Sequence, residues 1–111
     1  MPAPKKFKDF NVKRMSIKRI ESSCGEVSRI LRSLAHPQRL LVLSHLAMGE
    51  KNVTELQDLC GVSQSQLSQF LNRMKAEGLV HSRQEHLYRY YSISDPRLAQ
   101  LVVVLEKLFC R

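Results

Sequence analysis

Residues 54–80 read TELQDLCGVSQSQLSQFLNRMKAEGLV, and this stretch is the most informative about the fold. The spacing predicts a short helix over 55–60, with Thr54 as its N-cap, and a longer helix over 64–77. Gly61 lies between them and allows a tight turn. Two helices joined by a short turn that contains glycine are typical of a helix-turn-helix.

The longer predicted helix has two unlike faces. Its apolar residues recur at helical spacing and are expected to be buried: Leu67, Phe70, Leu71 and Met74. The residues that point mostly the other way are polar: Ser65, Ser68, Gln69, Asn72 and Arg73. Seven of the ten residues over 63–72 are Ser, Gln or Asn. These residues are not the best helix formers, so a helix whose outer face is only solvated would be expected to carry other residues. Since hydroxyls and amides can bond base edges and phosphates in a major groove, this composition favours DNA reading.

Further elements are predicted on both sides of this stretch from periodicity, capping residues and β-formers. They are helices over about 16–34, from Pro37 to near Gly49 and over 96–110, and a β-hairpin with strands over 79–83 and 88–93. The element order predicts a mainly α fold with a β-hairpin wing, the winged helix-turn-helix. In this arrangement, Arg83 and Arg89 of the wing are expected to contact the DNA backbone beside the longer helix.

The first and last predicted helices differ in how much of their surface is apolar. The first has an apolar stripe with steps of four, three, four and three residues: Ile20, Cys24, Val27, Leu31 and Leu34. Residues 101–105 of the last helix read LVVVL, so this helix is apolar around most of its circumference. Such a helix has to be covered on more than one side, and one of those sides is predicted to face a second subunit.

Most of the net positive charge of the 111-residue chain lies in its first 20 residues. The chain carries a net charge of +8, and residues 1–20 hold seven Lys or Arg against one Asp. Residues 1–14 are predicted to form a basic flexible arm, because Pro2 and Pro4 discourage a helix, and residues 15–111 to form a single domain. A basic balance favours polyanionic partners. It therefore leaves open a rival class, a protein-interaction or membrane-surface module that uses the arm.

Several functional classes lack support in the sequence. No apolar run approaches the roughly 20 residues of a membrane span, and no secretory signal is recognisable, so a cytoplasmic protein without a membrane partner is expected. The three cysteines are an odd number and form no CxxC pair, which argues against a disulfide framework. No Gly-rich phosphate loop, nucleophile–base spacing or metal cluster is recognisable, so no catalytic residue and no cofactor is predicted.

Several spaced motifs resemble the ArsR/SmtB family of bacterial repressors. They are RSLAHPQRL (32–40), GE (49–50), VSQSQLSQ (62–69), EGLV (77–80) and YYSI (90–93). The resemblance covers about residues 20–110. It implies a homodimer built on the first and last helices, which presents two recognition helices to a pseudo-palindromic operator of double-stranded DNA.

The resemblance also implies roles for individual residues. By position, the base-reading residues of the family correspond to Gln64, Ser65, Ser68 and Gln69. Phe70 stands where a polar residue, often His, is common in the family, which implies that one phosphate or base contact is missing. Together with Arg73, Arg83 and Arg89, the four base-reading positions make up the predicted DNA-binding set.

Metal sensing, which many relatives use to release DNA, is not expected in this chain. One metal site of the family uses a Cys-x-Cys pair that corresponds here to Asn52 and Thr54, which supply no thiolate. Another uses Asp and His on the last helix, and this helix has Asp95 but no His. The four scattered histidines are expected to be surface or capping residues. They are His36, His45, His81 and His86.

The end of the last helix, LEKLFC over 105–110, resembles the HlyU/BigR branch of reactive-sulfur and redox sensors. These proteins pair a cysteine late in the last helix with one on the second helix. Cys110 matches the former, whereas the latter falls at Ser44. Two alternatives stay open: Cys24 replaces the missing thiol, or the protein no longer senses sulfur. Against the first alternative, Cys24 lies on the apolar stripe, where a cysteine is expected to be buried as a small hydrophobe. The regulator itself is expected to be a repressor or, as resemblance to HlyU allows, an anti-repressor that displaces another DNA-binding protein.

Overall fold

The structure is a computed structural model that describes residues 11–111. Its five helices are α1 (Ile17–Leu34), α2 (Pro37–Ala47), α3 (Val53–Cys60), α4 (Gln64–Ala76) and α5 (Pro96–Phe109). Its three strands are β1 (Lys51–Asn52), β2 (Val80–Glu85) and β3 (Tyr88–Ile93). The predicted mainly α fold with a hairpin wing is therefore confirmed.

The start of α3 differs from the prediction. The N-cap is Asn52 and not Thr54, and the helix begins at Val53. The Asn52 side chain accepts a hydrogen bond from the backbone N–H of Glu55 at 2.8 Å, and the Glu55 carboxylate accepts one from the backbone N–H of Asn52 at 3.0 Å. This reciprocal capping box satisfies two N–H groups at once, which explains why Asn52 takes the position.

The wing is part of a three-stranded antiparallel sheet in the order β1-β3-β2. Its two long strands pair from Val80 with Ile93 to Glu85 with Tyr88, so β2 runs two residues further than predicted. The short strand β1 was not predicted, because two residues are too few to show an alternating pattern. Its pairing with β3 connects the base of the wing to the start of α3.

The core lies between the C-terminal end of α1, helices α2, α3, α4 and α5, and the base of the wing. Its largest fully buried side chains are Leu43, Leu56, Leu67, Leu71, Met74, Leu98 and Val42. Three of the four apolar residues predicted on α4 belong to this set, whereas Phe70 is only partly buried. The Phe70 ring lies edge-on to the His36 ring, with 5.1 Å between the ring centroids.

Two apolar helix faces stay uncovered in the protomer. On α1, Ile20, Val27 and Leu31 are each more than two-fifths exposed, and Cys24 is exposed with them. On α5, Leu101, Val102 and Leu105 pack against the core, whereas Val103, Val104 and Phe109 are exposed. The protomer thus covers one side of α5 and leaves the other open. The expected burial of Cys24 is not found within the protomer.

Most of the predicted basic arm, residues 1–10, lies outside the described residues. After it, Val12–Arg14 forms a short 3-10 turn, capped by the Asn11 side chain, which accepts a hydrogen bond from the backbone N–H of Lys13 at 3.1 Å. Of the helices described over 11–111, none has the length and apolar character that crossing a membrane requires.

Candidate nucleic-acid interface

The presentation of α4 follows from the residues at its ends and on its inner face. Gly61 ends α3 in the left-handed conformation, with φ of 64°, which glycine adopts without steric cost. After the turn, Ser63 caps α4 by accepting a hydrogen bond from the backbone N–H of Gln66 at 3.2 Å. The inner face, with Leu67 and Leu71 fully buried, anchors the helix in the core, so its outer face is held toward solvent.

The four predicted base-reading residues share this outer face. Gln64, Ser65 and Gln69 are exposed, and Ser68 is half-buried. Within the part of the chain that the structure describes, these four side chains make no hydrogen bond with one another or with a neighbour. Their donors and acceptors are thus available to a ligand, which is the condition for direct readout of base edges.

The predicted wing residue Arg83 is engaged by carboxylates. Its guanidinium donates to both oxygens of Glu50 at 2.7 and 2.9 Å and to Glu85 at 2.6 Å, and it lies over the Tyr90 ring. The hydrogen bond from Arg83 holds the pKa of the Glu50 carboxyl below its ordinary value. Two carboxylates therefore offset the positive charge of Arg83. Its bonds to Glu50, the residue before β1, also link the wing to the rest of the domain.

The second predicted wing residue, Arg89, forms no ion pair with a carboxylate among the described residues. It donates to Ser82 Oγ at 3.2 Å and to Gln84 Oε1 at 3.0 Å, and both acceptors are neutral. The neighbouring Lys75 of α4 also donates to Ser82 Oγ, at 2.9 Å, which ties α4 to β2. Arg89 and Lys75 therefore place positive charge where the wing meets the helix.

The third predicted arginine, Arg73, lies on the outer side of α4. It forms an ion pair of 3.2 Å with Glu77 one turn further along, and both side chains are exposed. An exposed pair at this spacing contributes only about 0.3–0.5 kcal/mol. A phosphate can therefore compete for Arg73 at small cost.

The two positions that correspond to the cysteine pair of the HlyU/BigR branch line the same groove in the structure. Cys110 and Ser44 line the same groove between α2 and α5, together with Leu40, Met48 and Val103. The Ser44 hydroxyl donates to the Leu40 carbonyl at 2.7 Å, a bond within α2. Cys24 does not line this groove. The third cysteine, Cys60, is half-buried, and burial raises the pKa of its thiol.

The positions that correspond to metal ligands of the family have structural partners instead. Asn52 takes part in the capping box, and Asp95 caps α5 and pairs with Arg97 at 2.6 Å. The hydrogen bond from Arg97 holds the pKa of Asp95 below its ordinary value. His36 caps α2. Among residues 11–111, no group of three or more His, Cys, Asp or Glu side chains lies together in a way that could hold a metal.

Comparison with known proteins places this geometry among regulators. The profile described as "Bacterial regulatory protein, arsR family" matches residues 36–82. The "Biofilm growth-associated repressor" of Xylella fastidiosa is 34% identical over 104 residues, which is 94% of this chain and 91% of that protein. The "Transcriptional activator HlyU" of Vibrio cholerae is 30% identical over 97 residues, which is 87% of this chain and 90% of that protein.

Solved structures agree with the sequence comparison. The crystal structure of the transcriptional repressor BigR from Xylella fastidiosa superposes with a TM-score of 0.84 at 34% identity, over 87% of this chain and 99% of that one. A solution structure from Mycobacterium bovis has a TM-score of 0.69 at 29% identity, over 85% and 86% of the two chains. It is described as a homodimeric winged helix-turn-helix DNA-binding domain of a possible ArsR-family regulator.

Proposed function

Because this chain belongs to the ArsR family of bacterial regulatory proteins, we propose that it binds double-stranded operator DNA sequence-specifically and thereby regulates transcription. The chain is a regulator and not an enzyme. The observation that carries the proposal is the outer face of α4, where Gln64, Ser65, Ser68 and Gln69 make no side-chain hydrogen bond within the described residues. A DNA-binding regulator of a bacterium acts in the cytoplasm, and we place this protein there.

The proposed division of labour follows from the side chains. Gln64, Ser65, Ser68 and Gln69 read base edges, since amides and hydroxyls distinguish base pairs in the major groove. Arg73 and Arg89 contact phosphates, which fix the position of the protein but carry no direct sequence information. Arg83 contributes less, because a phosphate has to displace Glu50 or Glu85 from its guanidinium.

We further propose that the protein acts as a homodimer through the uncovered faces of α1 and α5. Both faces are apolar and exposed in the protomer, which costs free energy unless a partner covers them. The description of the Mycobacterium bovis structure as homodimeric supports this assembly. A two-fold dimer presents two copies of α4, which fit half-sites about one DNA turn apart, roughly 34–36 Å.

Selection of duplexes from a random-sequence pool by the full chain tests this proposal. The expected enriched sequences contain two half-sites related by an approximate dyad and separated by about 10–10.5 base pairs from centre to centre. Enrichment without any shared sequence would mean that the protein binds DNA only through its charge.

The sign of regulation depends on where the operator lies. The relatives carry both kinds of name, a repressor from Xylella fastidiosa and an activator from Vibrio cholerae. The proposed dimer represses when its operator overlaps a promoter, and it acts as an anti-repressor when it displaces another DNA-binding protein. Mapping the selected sequence relative to the transcription start distinguishes the two.

The basic arm is proposed to add affinity without specificity. Deletion of residues 1–14 removes five positive charges and one negative charge. If these cations meet phosphates, the slope of log K against log salt should become shallower by about 0.9 for each phosphate that the shortened protein no longer neutralises. Filter binding or fluorescence anisotropy over a salt series measures the slope. An unchanged slope would instead support the rival in which the arm binds a membrane surface or another protein.

Any thiol response is proposed to run through Cys110, with Cys24 as its partner. Ser44, which lines the groove beside Cys110, has no sulfur and cannot form the bridge expected there. Cys24 and Cys110 are both exposed in the protomer, so neither thiol is shielded by its own chain. The contrasting proposal is that the protein binds DNA without sensing sulfur.

Treatment with diamide separates these two proposals. A disulfide forms as two thiols lose two electrons and two protons, which diamide takes up as it is reduced to a hydrazine. We expect a Cys24–Cys110 peptide in the mass spectrum and weaker operator binding, and neither in Cys110→Ser. If wild type and Cys110→Ser respond alike, the thiol proposal is wrong and the non-sensing regulator remains.

A further inference from the structure

Four arginines converge where α1, α2 and α4 meet. They line one cleft, which we call the arginine cleft: Arg29 and Arg32 of α1, Arg39 of α2 and Arg73 of α4. Among the described residues, Glu77 is the one acidic side chain that lines it. Four arginines and one glutamate give the cleft a net charge of +3.

The cationic groups of this cleft have few acceptors. Glu77 is already shared between Arg73 and the Ser33 hydroxyl, at 3.2 and 3.1 Å. The guanidinium groups of Arg29 and Arg32 form no ion pair or hydrogen bond with any described residue. Arg39 donates from Nη2 to the Arg32 carbonyl at 3.3 Å, but its Nε is buried without a partner. A buried donor of this kind needs an acceptor, and an anion held in the cleft supplies one.

The arginine cleft is continuous with the outer face of α4. A neighbouring cleft shares Arg39 and Arg73 with it and is also lined by His36, Gln69, Phe70 and Asn72. Gln69 is one of the proposed base-reading residues. A ligand that contacts this end of the base-reading face therefore also faces the arginines.

The arginine cleft and the wing flank α4 on opposite sides. At about 100° per residue, Arg73 lies about 80° to one side of Ser65, and Lys75 lies about 80° to the other side. Lys75 bonds to Ser82 of the wing, whereas Arg73 lines the arginine cleft. A helix in the major groove has a phosphate backbone on either side. If α4 lies in a major groove, the wing would face one backbone and the arginine cleft the other.

The proposed dimer does not need to cover the arginine cleft. At about 100° per residue, Arg32 and Arg29 lie about 100° and 160° around α1 from Leu31, which belongs to the uncovered apolar stripe. Coverage of that stripe by a second protomer therefore does not require burial of either arginine.

We propose that the arginine cleft binds phosphates of the DNA backbone on the side of α4 opposite the wing. This inference rests on the proposed function and adds Arg29, Arg32 and Arg39 to the DNA-contacting residues. Guanidinium forks suit phosphate oxygens, with which they form paired, charge-assisted hydrogen bonds. These arginines come from three helices and form no local run, so sequence motifs did not reveal them.

The test compares two double variants that each remove two positive charges. Arg29 and Arg32 are exposed, so R29Q/R32Q leaves the core intact. The matched control is K18Q/R111Q. Both residues are exposed, neither lines either cleft, and Lys18 lies about 140° around α1 from Leu31, away from the uncovered stripe. Affinity is measured over a salt series for the duplex selected by the wild type and for a shuffled duplex.

For R29Q/R32Q we expect the salt slope to become shallower by about 0.9 for each arginine that had neutralised a phosphate, or about 1.8 per protomer. Affinity should fall by similar factors for both duplexes, since phosphate contacts carry no direct sequence information. The control K18Q/R111Q should keep the wild-type slope. R29K/R32K should retain most of the slope, which a purely structural role of the guanidinium groups would not allow.

A wild-type slope in R29Q/R32Q overturns the inference. It is also overturned if inorganic phosphate, at constant ionic strength, raises the melting temperature of the wild type but not of R29Q/R32Q while the DNA slope stays unchanged. In that case the arginine cleft holds a free anion. If the wild type binds both duplexes equally and R29Q/R32Q still flattens the slope, sequence-specific function fails while the cleft stands as a phosphate-binding surface.

Discussion

Leu31→Glu and Val103→Glu are each expected to convert the dimer to a monomer and to lower operator affinity by a factor of about 10²–10⁴. Leu31 is 49% exposed and Val103 is 48% exposed in the protomer, on the apolar faces of α1 and α5. A carboxylate tolerated at these positions in the monomer would lose its hydration in the interface without a partner. Each protomer would then bind its half-site alone, without the gain from linked binding. Sedimentation velocity and anisotropy measure the two effects.

Leu59→Glu is the matched control for assembly. Leu59 is 48% exposed, like Val103, but it lies on α3, outside both uncovered faces. We expect this variant to stay dimeric. If the α1 and α5 variants also stay dimeric at micromolar concentration, these faces are not the subunit interface.

Ser65→Ala and Gln69→Ala are expected to reduce the discrimination between operator and shuffled DNA. A good direct base contact carries about 1–3 kcal/mol of discrimination, which is about five- to 150-fold for each half-site. Both residues are exposed on α4, so neither change removes core packing. The affinity ratio of the two duplexes, measured at one fixed salt concentration, reports the effect.

Arg89→Ala serves as the contrasting variant. Arg89 is proposed to meet phosphate, so its removal should weaken operator and shuffled DNA by similar factors and leave their ratio nearly unchanged. Arg83→Ala should weaken binding less than Arg89→Ala, because Arg83 is held by two carboxylates. If neither Ser65→Ala nor Gln69→Ala changes the ratio, the base-reading role of α4 is wrong.

The elements that carry periodic or glycine signals were predictable from the sequence. The apolar spacing of α4 and the glycine after α3 predicted the helix-turn-helix, and both are found in the structure. The N-cap of α3 was missed, because a cap is chosen by hydrogen-bond geometry and two suitable residues, Asn52 and Thr54, stood two positions apart. The partial exposure of Phe70 was missed because it follows from packing against His36 of another helix.

The candidate site was predictable only where it lies on one element. The polar residues of α4 are neighbours along the chain, so their shared face could be deduced from helical spacing. The engagement of Arg83 depends on Glu50, 33 residues away, and no local pattern reveals such a pair. The arginine cleft likewise joins residues of three helices, whereas the visible concentration of positive charge in the sequence lies in residues 1–20.

The decisive measurement is the affinity of the wild-type dimer for its selected duplex, relative to a shuffled duplex of the same length and composition. Both affinities are to be measured at the same near-physiological salt concentration, because charge alone binds any DNA. We expect a ratio of about 10³ or more. Equal affinities for the two duplexes would contradict it, since the outer face of α4 would then read no sequence.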